Sequence, residues 1–437
     1  MAQVSNNSIE CEVVVIGGGT AGFGAALAAA RKGLNVYLLE STNKIGGVMA
    51  SCPEMPWGGG YPLDKSIGGI FNELVNSLYK LNPPAAEKRL CSLHNFGPEV
   101  LYDHEIAMFT LYQMLEEAGV KLLLNAIAYE PILDGSRIKG VTYYDRKGQH
   151  DINTKVVIDC SGDGDIAFKA GVPFQKGDDN GNMMGVTLTF LMINAKWDKI
   201  FENNKDPYFT ELAAKGIKEG RLHEDLHKLY MLKGFHKDTA YFNAVSIKGV
   251  DGTDPIDIVR ATNEGRKICH QLAEFVIQEV PGFENARMVY MGPTVGVRET
   301  RKFEGLYRLT ADDMTTGQKF SDGIVCCDNP IDDVFRGTNI MTHEAIGEEG
   351  TYYTIPYRCM VPKNIENLLF AGRIISTDPV AFASVRGMPQ CMAMGQACGT
   401  AADIAIKNNL SVQDINYDEL VKDLVAQGVN GLAGGKL

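Results

Sequence analysis

Residues 13–40 read VVVIGGGTAGFGAALAAARKGLNVYLLE, and their pattern predicts the architecture of the first part of the chain. Residues 13–16 are a β-branched run, glycines follow directly, and an alanine-rich segment of strong helix formers extends from residue 24 to 32. Gly33 ends this predicted helix, and residues 35–40 form a second buried-type strand that ends in an acid. The stretch therefore predicts a βαβ unit.

The glycines of this unit have the spacing G-x-G-x-x-G, at Gly17, Gly19 and Gly22, and Glu40 follows after about 20 residues. An isolated motif of this kind also occurs in flexible turns, but the strand, helix and acid around it favour a dinucleotide site. Backbone amides and the helix dipole would meet a pyrophosphate there, and Glu40 would accept hydrogen bonds from ribose hydroxyls. A phosphorylated ribose would be repelled, which disfavours NADP.

Composition limits the class of protein. A chain of 437 residues suits two lobes rather than one core, and its net charge of −12 disfavours nucleic acid as a partner. Its ten cysteines show no CxxC pair, so we expect neither a disulfide scaffold nor a metal site, and a cytoplasmic location. Residues 13–30 carry no charge, but acids precede them and glycines interrupt them, so we expect no membrane span.

The motif alone does not separate NAD from FAD. The segment Lys44-Ile-Gly46-Gly47-Val48 places a glycine pair directly after the second strand, where a backbone would pass beside the flavin-side pyrophosphate or the ribityl chain. This pair favours FAD.

Further motifs follow along the chain: DCSGDGD at 159–165, GVRETR at 296–301, IPYR at 355–358, FAGR at 370–373 and MPQCMAMGQ at 388–396. With Gly46-Gly47 they recur in this order in one family. From about residue 12 to 407 the chain resembles the FAD-dependent oxidoreductase family of the glutathione-reductase-like flavoproteins.

The resemblance implies FAD as the cofactor and an α/β fold, in which a discontinuous Rossmann-like FAD-binding domain carries an inserted α+β substrate or cap domain. We place the FAD-binding domain at residues 1–175 and 289–437, and the inserted domain at 176–288. Helical spacing predicts helices over 66–80, 103–119, 257–279 and 389–407, and charged helical segments over 211–233. Strands are predicted at 120–124, 138–145, 155–159, 186–193 and 367–371.

By the same resemblance the pyrophosphate of FAD lies at the glycine turn, and the adenosine ribose at Glu40. The residues implied to bind the cofactor are Gly17, Gly19, Thr20, Ala21, Gly22, Glu40, Lys44, Gly46, Gly47, Val48, Gly162, Gly372, Arg373, Arg386, Gly387 and Met388. Related proteins often carry an acid where Arg373 stands, and a surface salt bridge is the alternative role for this arginine.

The helix that begins near Pro389 is implied to point its amino end at the flavin pyrimidine ring. Its positive end and Arg386 would stabilise negative charge at N1 and C2=O of the reduced flavin. The alternative is a packing helix, because Gly395 and Gly399 also suit close contact with another backbone.

The chemistry we expect is hydride transfer between flavin N5 and a small, anionic organic substrate, at a CH–OH, CH–NH or CH–CH bond. His343 or Tyr353 would move the proton, although both residue types are often structural. Arg298, Arg301 or Arg386 would orient the substrate, with pairing to neighbouring acids as the alternative for the first two. Thr187, Thr189 and Asn243 lie on segments expected to cap the flavin.

Other functions stay open at this point. The chain shows one complete dinucleotide motif, so the external electron carrier is unidentified, and Cys52 stands alone, which disfavours disulfide reduction. A flavin-containing isomerase or lyase without net redox change and a flavin electron-transfer subunit are the alternatives. The oligomeric state is also open.

Overall fold

The computed structural model describes residues 8–91, 95–202, 204–334, 336 and 341–432, with backbone alone at 341–343. The helices are α1 (Thr20–Arg31), α2 (Val48–Ser51), α3 (Gly69–Tyr79), α4 (His104–Glu117), α5 (Asp165–Lys169), α6 (Trp197–Ile200), α7 (Thr210–Lys218), α8 (Pro255–Glu279), α9 (Ala311–Thr315), α10 (Pro379–Val385), α11 (Met388–Lys407) and α12 (Tyr417–Ala426).

The strands of the described residues are mostly short. They are β1 (Ile9–Glu10), β2 (Val13–Ile16), β3 (Val36–Glu40), β4 (Trp57–Gly58), β5 (Ala86–Leu90), β6 (Pro98–Tyr102), β7 (Lys121–Leu124), β8 (Ile127–Asp134), β9 (Arg137–Asp145), β10 (Gly148–Asn153), β11 (Val156–Asp159), β12 (Phe174–Lys176), β13 (Val186–Ile193), β14 (Met231–Lys233), β15 (Thr239–Ile247), β16 (Arg287–Met291), β17 (Arg301–Phe303), β18 (Gly323–Cys327), β19 (Ile331–Val334), β20 (Met341–Glu344), β21 (Tyr353–Pro356) and β22 (Leu368–Phe370).

A five-stranded parallel sheet of order β22-β11-β2-β3-β7 forms the centre of the fold. The predicted βαβ unit is confirmed, since β2 and β3 pair in parallel and α1 connects them. Every residue of β2 is buried, which explains its unbroken apolar sequence. Gly33 ends α1 with φ of +89°, and its N–H bonds to the carbonyl of Ala30 at 2.8 Å.

Helix α11 packs directly on α1 through small residues. A Cβ built on Gly395 would lie 1.9 Å from the carbonyl oxygen of Ala21, and one built on Gly24 would lie 2.2 Å from that of Met392. The two helix backbones can approach this closely because the side chains are absent. The small-residue packing role considered for α11 is therefore present in the structure, and it brings the starts of both helices to the same edge of the sheet.

A second, antiparallel sheet has the order β14-β15-β13-β16 and is covered by α8. Its buried residues form a hydrophobic cluster that extends from Val186 to Val295 and is separate from the cluster around the parallel sheet. Phe190 of β13 and Phe242 of β15 stack within it with ring centroids 4.4 Å apart. The remaining sheets are a mixed sheet of order β1-β10-β9-β8, a three-stranded β4-β6-β5 sheet, and three strand pairs.

The predicted helix over 211–233 is only partly correct. Helix α7 ends at Lys218, and Gly220 follows with φ of +70°, a conformation that glycine adopts without strain. Residues 231–233 then form β14, which pairs with β15. Tertiary pairing with the sheet thus replaces the helix that local spacing predicts. The other helices and strands predicted from the sequence are confirmed with small shifts at their ends.

Candidate active site

A cavity of about 580 Å³, here called the main cavity, opens at the carboxyl ends of the parallel strands. Its lining includes the last residues of β2 and β3, Ile16 and Glu40, and the residues directly after β11 and β22, Cys160 and Ala371. Ligands of open α/β sheets bind outside these strand ends. The antiparallel sheet supplies another part of the lining through Thr187, Thr189, Tyr241 and Asn243.

The glycine turn after β2 serves both packing and access. A Cβ on Gly17 would lie 2.5 Å from the carbonyl oxygen of Cys160, and one on Gly22 would lie 1.7 Å from that of Gly17, so both positions require glycine. Gly19 differs, because a Cβ there would meet only the Cα of Gly47, at 3.9 Å. The turn is therefore open at Gly19, where α1 begins without an acid in its first turn. An anion can approach this positive helix end.

Glu40 joins the end of β3 to this turn. One oxygen of its buried carboxylate accepts a hydrogen bond from the N–H of Gly18 at 2.7 Å, and the other accepts from the N–H of Thr42 at 2.7 Å. The carboxylate lines the main cavity. It is therefore held in place before any ligand binds.

The start of α11 also lies at the main cavity. Gly387, Met388 and the preceding Arg386 line it, and the first turn of the helix carries no acid. Arg386 donates to both the carbonyl and the carboxylate of Asp332, at 2.7 and 2.5 Å. Its Nε has no hydrogen-bond partner among the described residues. A second positive helix end thus faces the same cavity as that of α1.

Arg298 is the second cation of this lining. It donates to the carbonyl of Gly185 at 2.8 Å and to the hydroxyl of Thr187. Burial, and after it the positive charge of Arg386, lowers the pKa of Arg298 to about 10, so the guanidinium stays charged at neutral pH. Arg298 and Arg386 together make this part of the cavity suitable for an anion.

Arg373 and Gly162 lie together at the cavity. A Cβ on Gly162 would come within 2.7 Å of an Arg373 Nη, and the same arginine pairs with the carboxylate of Asp163 at 3.4 Å. All three line the main cavity, as do Gly372, Gly47 and Val48. Arg373 is thus both an ion-pair partner and a cavity residue, which combines the two roles weighed for it.

Cys52 and Tyr241 are buried residues of the same lining. Burial raises the pKa of the Cys52 thiol above its ordinary range, so the thiol is protonated at neutral pH. Burial likewise raises the pKa of the Tyr241 phenol, whereas Thr189 and the charge of Arg298 act in the opposite direction. Both groups therefore carry a proton inside the cavity.

Among the candidate cofactor-binding and catalytic residues whose side chains the structure describes, five do not line the main cavity: Gly22, Lys44, Gly46, Arg301 and Tyr353. Lys44 donates to the carbonyl of Ala50 at 2.6 Å, and Arg301 pairs with Asp165 at 3.1 Å. The buried Tyr353 shares a hydrogen bond of 2.7 Å with Ser384, which does line the cavity. Tyr353 can therefore act on a ligand only through Ser384.

His343 lies on β20, where its backbone is in register with Asp332 of β19. The side chain of His343 is outside the described part of the structure. Its proposed role in proton transfer stays a prediction.

Within the described ranges, no group of three or more His, Cys, Asp or Glu residues is arranged to hold a metal ion. None of the helices in those ranges has the length and apolar character needed to cross a membrane. All ten cysteines are free thiols.

Residues 12–424 match the family described as FAD dependent oxidoreductase. The chain belongs to this family. FAD is accordingly its cofactor, and the chain is an FAD-dependent oxidoreductase.

Two curated relatives match shorter parts of this FAD-dependent oxidoreductase. Digeranylgeranylglycerophospholipid reductase 1 of Methanopyrus kandleri is 33% identical over 163 residues, which are 35% of this chain and 40% of the relative. The 4-oxocyclohex-2-ene-1-carboxylate 5-dehydrogenase of Sinomonas cyclohexanicum is 36% identical over 78 residues, 18% of this chain and 13% of the relative. The chain thus spans less than half the length of each.

One solved structure has a fold similar to that of this oxidoreductase over most of the chain. The p-nitrophenol 4-monooxygenase of Pseudomonas putida has a TM-score of 0.52 and 13% identity, with 95% of this chain and 85% of that chain covered. This similarity extends to the fold alone.

The lining of the main cavity fits FAD. Gly19 leaves space beside the start of α1 for a pyrophosphate, Glu40 presents a fixed carboxylate for ribose hydroxyls, and the start of α11 with Arg386 is available to the pyrimidine edge of the flavin. Of the residues implied to bind FAD, those that line the cavity are Gly17, Gly19, Thr20, Ala21, Glu40, Gly47, Val48, Gly162, Gly372, Arg373, Arg386, Gly387 and Met388.

Several cavity residues were not selected from the sequence. Tyr230 directly precedes β14, Leu232 lies in β14, Tyr241 in β15 and Asp332 in β19. None of them belongs to a motif, and their approach to the glycine turn depends on contacts between distant parts of the chain. Strand alternation is the one local signal present, and it does not show which face meets a ligand.

Proposed function

We propose that this FAD-dependent oxidoreductase transfers a hydride between a small anionic organic substrate and flavin N5, at a CH–OH, CH–NH or CH–CH bond. Bound FAD supplies the hydride-accepting or hydride-donating centre. The observation that carries the proposal is the presence of Arg298 and Arg386 in the same cavity as the glycine turn. Both relatives described above act, by their names, on organic anions, a phospholipid and a carboxylate.

The charges of the main cavity favour an anion at one place. Arg386 is paired with Asp332, whereas Arg298 is bonded to a carbonyl and a hydroxyl, which leaves its positive charge without a paired carboxylate in those contacts. The side chains of Arg298, Arg386 and Asp332 together carry one net positive charge. A carboxylate or phosphate bound there would exchange water for charge-assisted hydrogen bonds, and its reacting carbon would be held in a fixed orientation.

The proton accompanying the hydride needs a donor or acceptor within reach of the substrate. Tyr353 reaches the cavity only through the hydroxyl of Ser384, so a direct role is disfavoured. The remaining proposals are His343 and the cavity residue Tyr241, whose phenol lies beside Thr189. Arg298 near Tyr241 would stabilise its phenolate when the proton leaves.

We further propose that residues 176–288 form a cap domain inserted into an FAD-binding domain at 1–175 and 289–437. We also propose that the protein is a member of the glutathione-reductase-like flavoproteins. The separate core of the antiparallel sheet supports this division. Ten free thiols suit a reducing cytoplasm. An external carrier would exchange electrons with the enzyme.

The test is to mix the purified holoprotein anaerobically with hydroxy acids, amino acids, enoates and neutral sugars, and to record the flavin absorbance. We expect at least one acid to change the oxidation state of the flavin and the neutral sugars to leave it unchanged. Reduced protein mixed with the enoates tests the opposite direction. Formation of more than one equivalent of product per flavin without any external acceptor or donor would instead identify an isomerase or lyase and would contradict the proposal.

A further inference from the structure

A second cavity of about 340 Å³ adjoins the main cavity. We call it the aromatic chamber, because the rings of Trp197, Phe201, Tyr208 and Tyr230 line it. Trp197 and Phe201 stack with ring centroids 6.0 Å apart, and the indole N–H of Trp197 donates to the carbonyl of Thr239 at 2.7 Å. With that N–H already satisfied, Trp197 offers mainly its ring to a ligand.

The two cavities share part of their walls. Tyr230 and Leu232 line both of them. Arg89 of the chamber also pairs with Glu99 of the main cavity at 2.7 Å. The partition between the cavities therefore includes these two residues and this ion pair.

The cationic part of the main cavity belongs to the same lining as Tyr230 and Leu232 of this partition. Asp332, which binds Arg386, is also close enough to Tyr230 to contribute, after burial and Tyr208, to the raised pKa of that phenol. Arg298 is in turn within electrostatic reach of Arg386 and Asp332. Because Tyr230 lines both cavities, a ligand anion at Arg298 and Arg386 would share the main cavity with a residue of the chamber wall.

The chamber has the chemistry of an apolar subsite. Its aromatic walls are completed by Pro207, Met231, Leu232 and the largely exposed Leu90, and by two cations, Lys233 and the Glu99-paired Arg89. No acidic residue occurs in its described lining. Its volume is within the roughly 300–1,000 Å³ of small-molecule sites. Hydrocarbon buried against such walls gains the free energy of removal from water.

We propose that the substrate is an amphipathic organic acid, whose anionic head lies at Arg298 and Arg386 and whose extended hydrocarbon tail passes Tyr230 and Leu232 into the aromatic chamber. This inference rests on the proposed function for the location of the head. It adds the substrate class, and it makes Trp197 and Tyr208 specificity-determining residues.

Two optical reporters test this in the holoprotein, with butyrate, hexanoate, octanoate and decanoate as probes. The chain has two tryptophans, and the other, Trp57, is 1% exposed and stacks on Tyr102, so Trp197 reports on the chamber. Flavin absorbance reports on the main cavity. We expect decanoate to change both signals with one Kd, and butyrate to change the flavin signal alone. Each buried methylene should lower Kd by about fourfold.

Variants test whether the fluorescence change and the binding of the hydrocarbon tail arise in the aromatic chamber. Trp197→Phe should abolish the fluorescence change that depends on chain length, and Tyr208→Ala should weaken decanoate binding roughly tenfold while butyrate binding is unchanged. Tyr129→Ala removes a tyrosine that is 46% exposed on β8 and serves as the matched control, with no expected effect on either ligand.

Two results would contradict the binding of one elongated ligand across both cavities. One is a Trp197 fluorescence change that does not depend on the chain length of the alkanoate, and the other is a different Kd for the fluorescence and flavin signals. These measurements require binding and no turnover. If the alkanoates behave as expected but no acid exchanges electrons with the flavin, the proposed function fails and the chamber assignment stands.

Discussion

The carboxylate of Glu40 accepts a hydrogen bond from the backbone N–H of Gly18 at 2.7 Å, and this bond ties the end of β3 to the glycine turn after β2. The acid at the end of the second strand therefore shapes the turn as well as facing the cavity. Loss of the carboxylate would leave the Gly18 N–H without its acceptor and remove the ribose partner at the same time.

Glu40→Ala is therefore expected to raise the Kd of the apoprotein for FAD by roughly tenfold or more, as measured by titration of flavin fluorescence. Glu12→Ala is the control, because Glu12 directly precedes the neighbouring strand β2 and pairs with Lys155 at 3.1 Å, outside the cavity lining. Equal losses of FAD affinity in both variants would show that Glu40 acts through general stability.

Gly19→Ala should separate cofactor binding from folding. Its φ of −68° and ψ of −173° suit alanine, and the nearest atom to the new Cβ is 3.9 Å away, so the free energy of unfolding of the apoprotein should change by less than about 0.5 kcal/mol. FAD affinity should fall roughly tenfold or more, since the methyl group occupies the approach to the start of α1. Denaturant unfolding and FAD titration measure the two effects.

Gly395→Ala, in contrast to Gly19→Ala, should destabilise the apoprotein in the denaturant-unfolding experiment. Its Cβ would lie 1.9 Å from the carbonyl oxygen of Ala21, so α1 and α11 must separate, and the free energy of unfolding should fall by about 1–3 kcal/mol. If Gly19→Ala destabilises the apoprotein as much as Gly395→Ala does, the turn is not open as described.

Arg298→Gln should weaken the binding of carboxylate ligands by roughly tenfold to a hundredfold while the Kd for FAD stays unchanged, because the variant removes a positive charge from the substrate part of the cavity. Perturbation of the flavin absorbance by butyrate measures the first quantity. Arg287→Gln is the matched control, since Arg287 is an exposed residue of β16 that does not line the main cavity. An unchanged butyrate affinity in Arg298→Gln would remove Arg298 from substrate binding.

The environment of Glu54 predicts that the free energy of unfolding depends on pH. One oxygen of this buried carboxyl group accepts from the N–H of Phe235 at 3.1 Å and from Thr239 at 2.8 Å, and burial raises its pKa above the ordinary 4.5. A raised folded-state pKa contributes stability that is fully present below pH 4.5 and is lost as the pH rises through the folded-state pKa.

Glu54→Gln keeps an accepting oxygen and carries no charge, so its free energy of unfolding should depend less on pH than that of the wild type across this window. Urea unfolding at several pH values gives the comparison, with the exposed Glu87→Gln as the control. A pH dependence identical to that of the wild type would assign the titration to other groups.

Much of the nucleotide end of the site could be predicted from the sequence, because β2, the glycine turn, α1 and β3 are adjacent in the chain and their spacing encodes their geometry. Even there, Gly22 packs on Gly17 instead of lining the cavity, and Lys44 bonds to Ala50. A motif thus gives the backbone path but does not separate the residues that touch a ligand from those that support the turn.

The substrate end was much less accessible to prediction. The residue type of Tyr353 and its place in a strand predict a site residue, but its hydroxyl lies behind Ser384. Tyr230 and Tyr241 were not selected, since their positions at the cavity depend on how β14 and β15 pair with each other and approach the parallel sheet. Such long-range contacts leave no local spacing in the sequence.

The most direct test of the central claim is the rate of flavin bleaching in anaerobic stopped-flow mixing with a reducing acid substrate, compared with the same acid deuterated at the reacting carbon. Direct hydride transfer predicts that bleaching accompanies substrate oxidation and that deuteration slows it severalfold. Conversion of the acid to product with the flavin oxidised throughout, and with no effect of deuteration, would contradict the account.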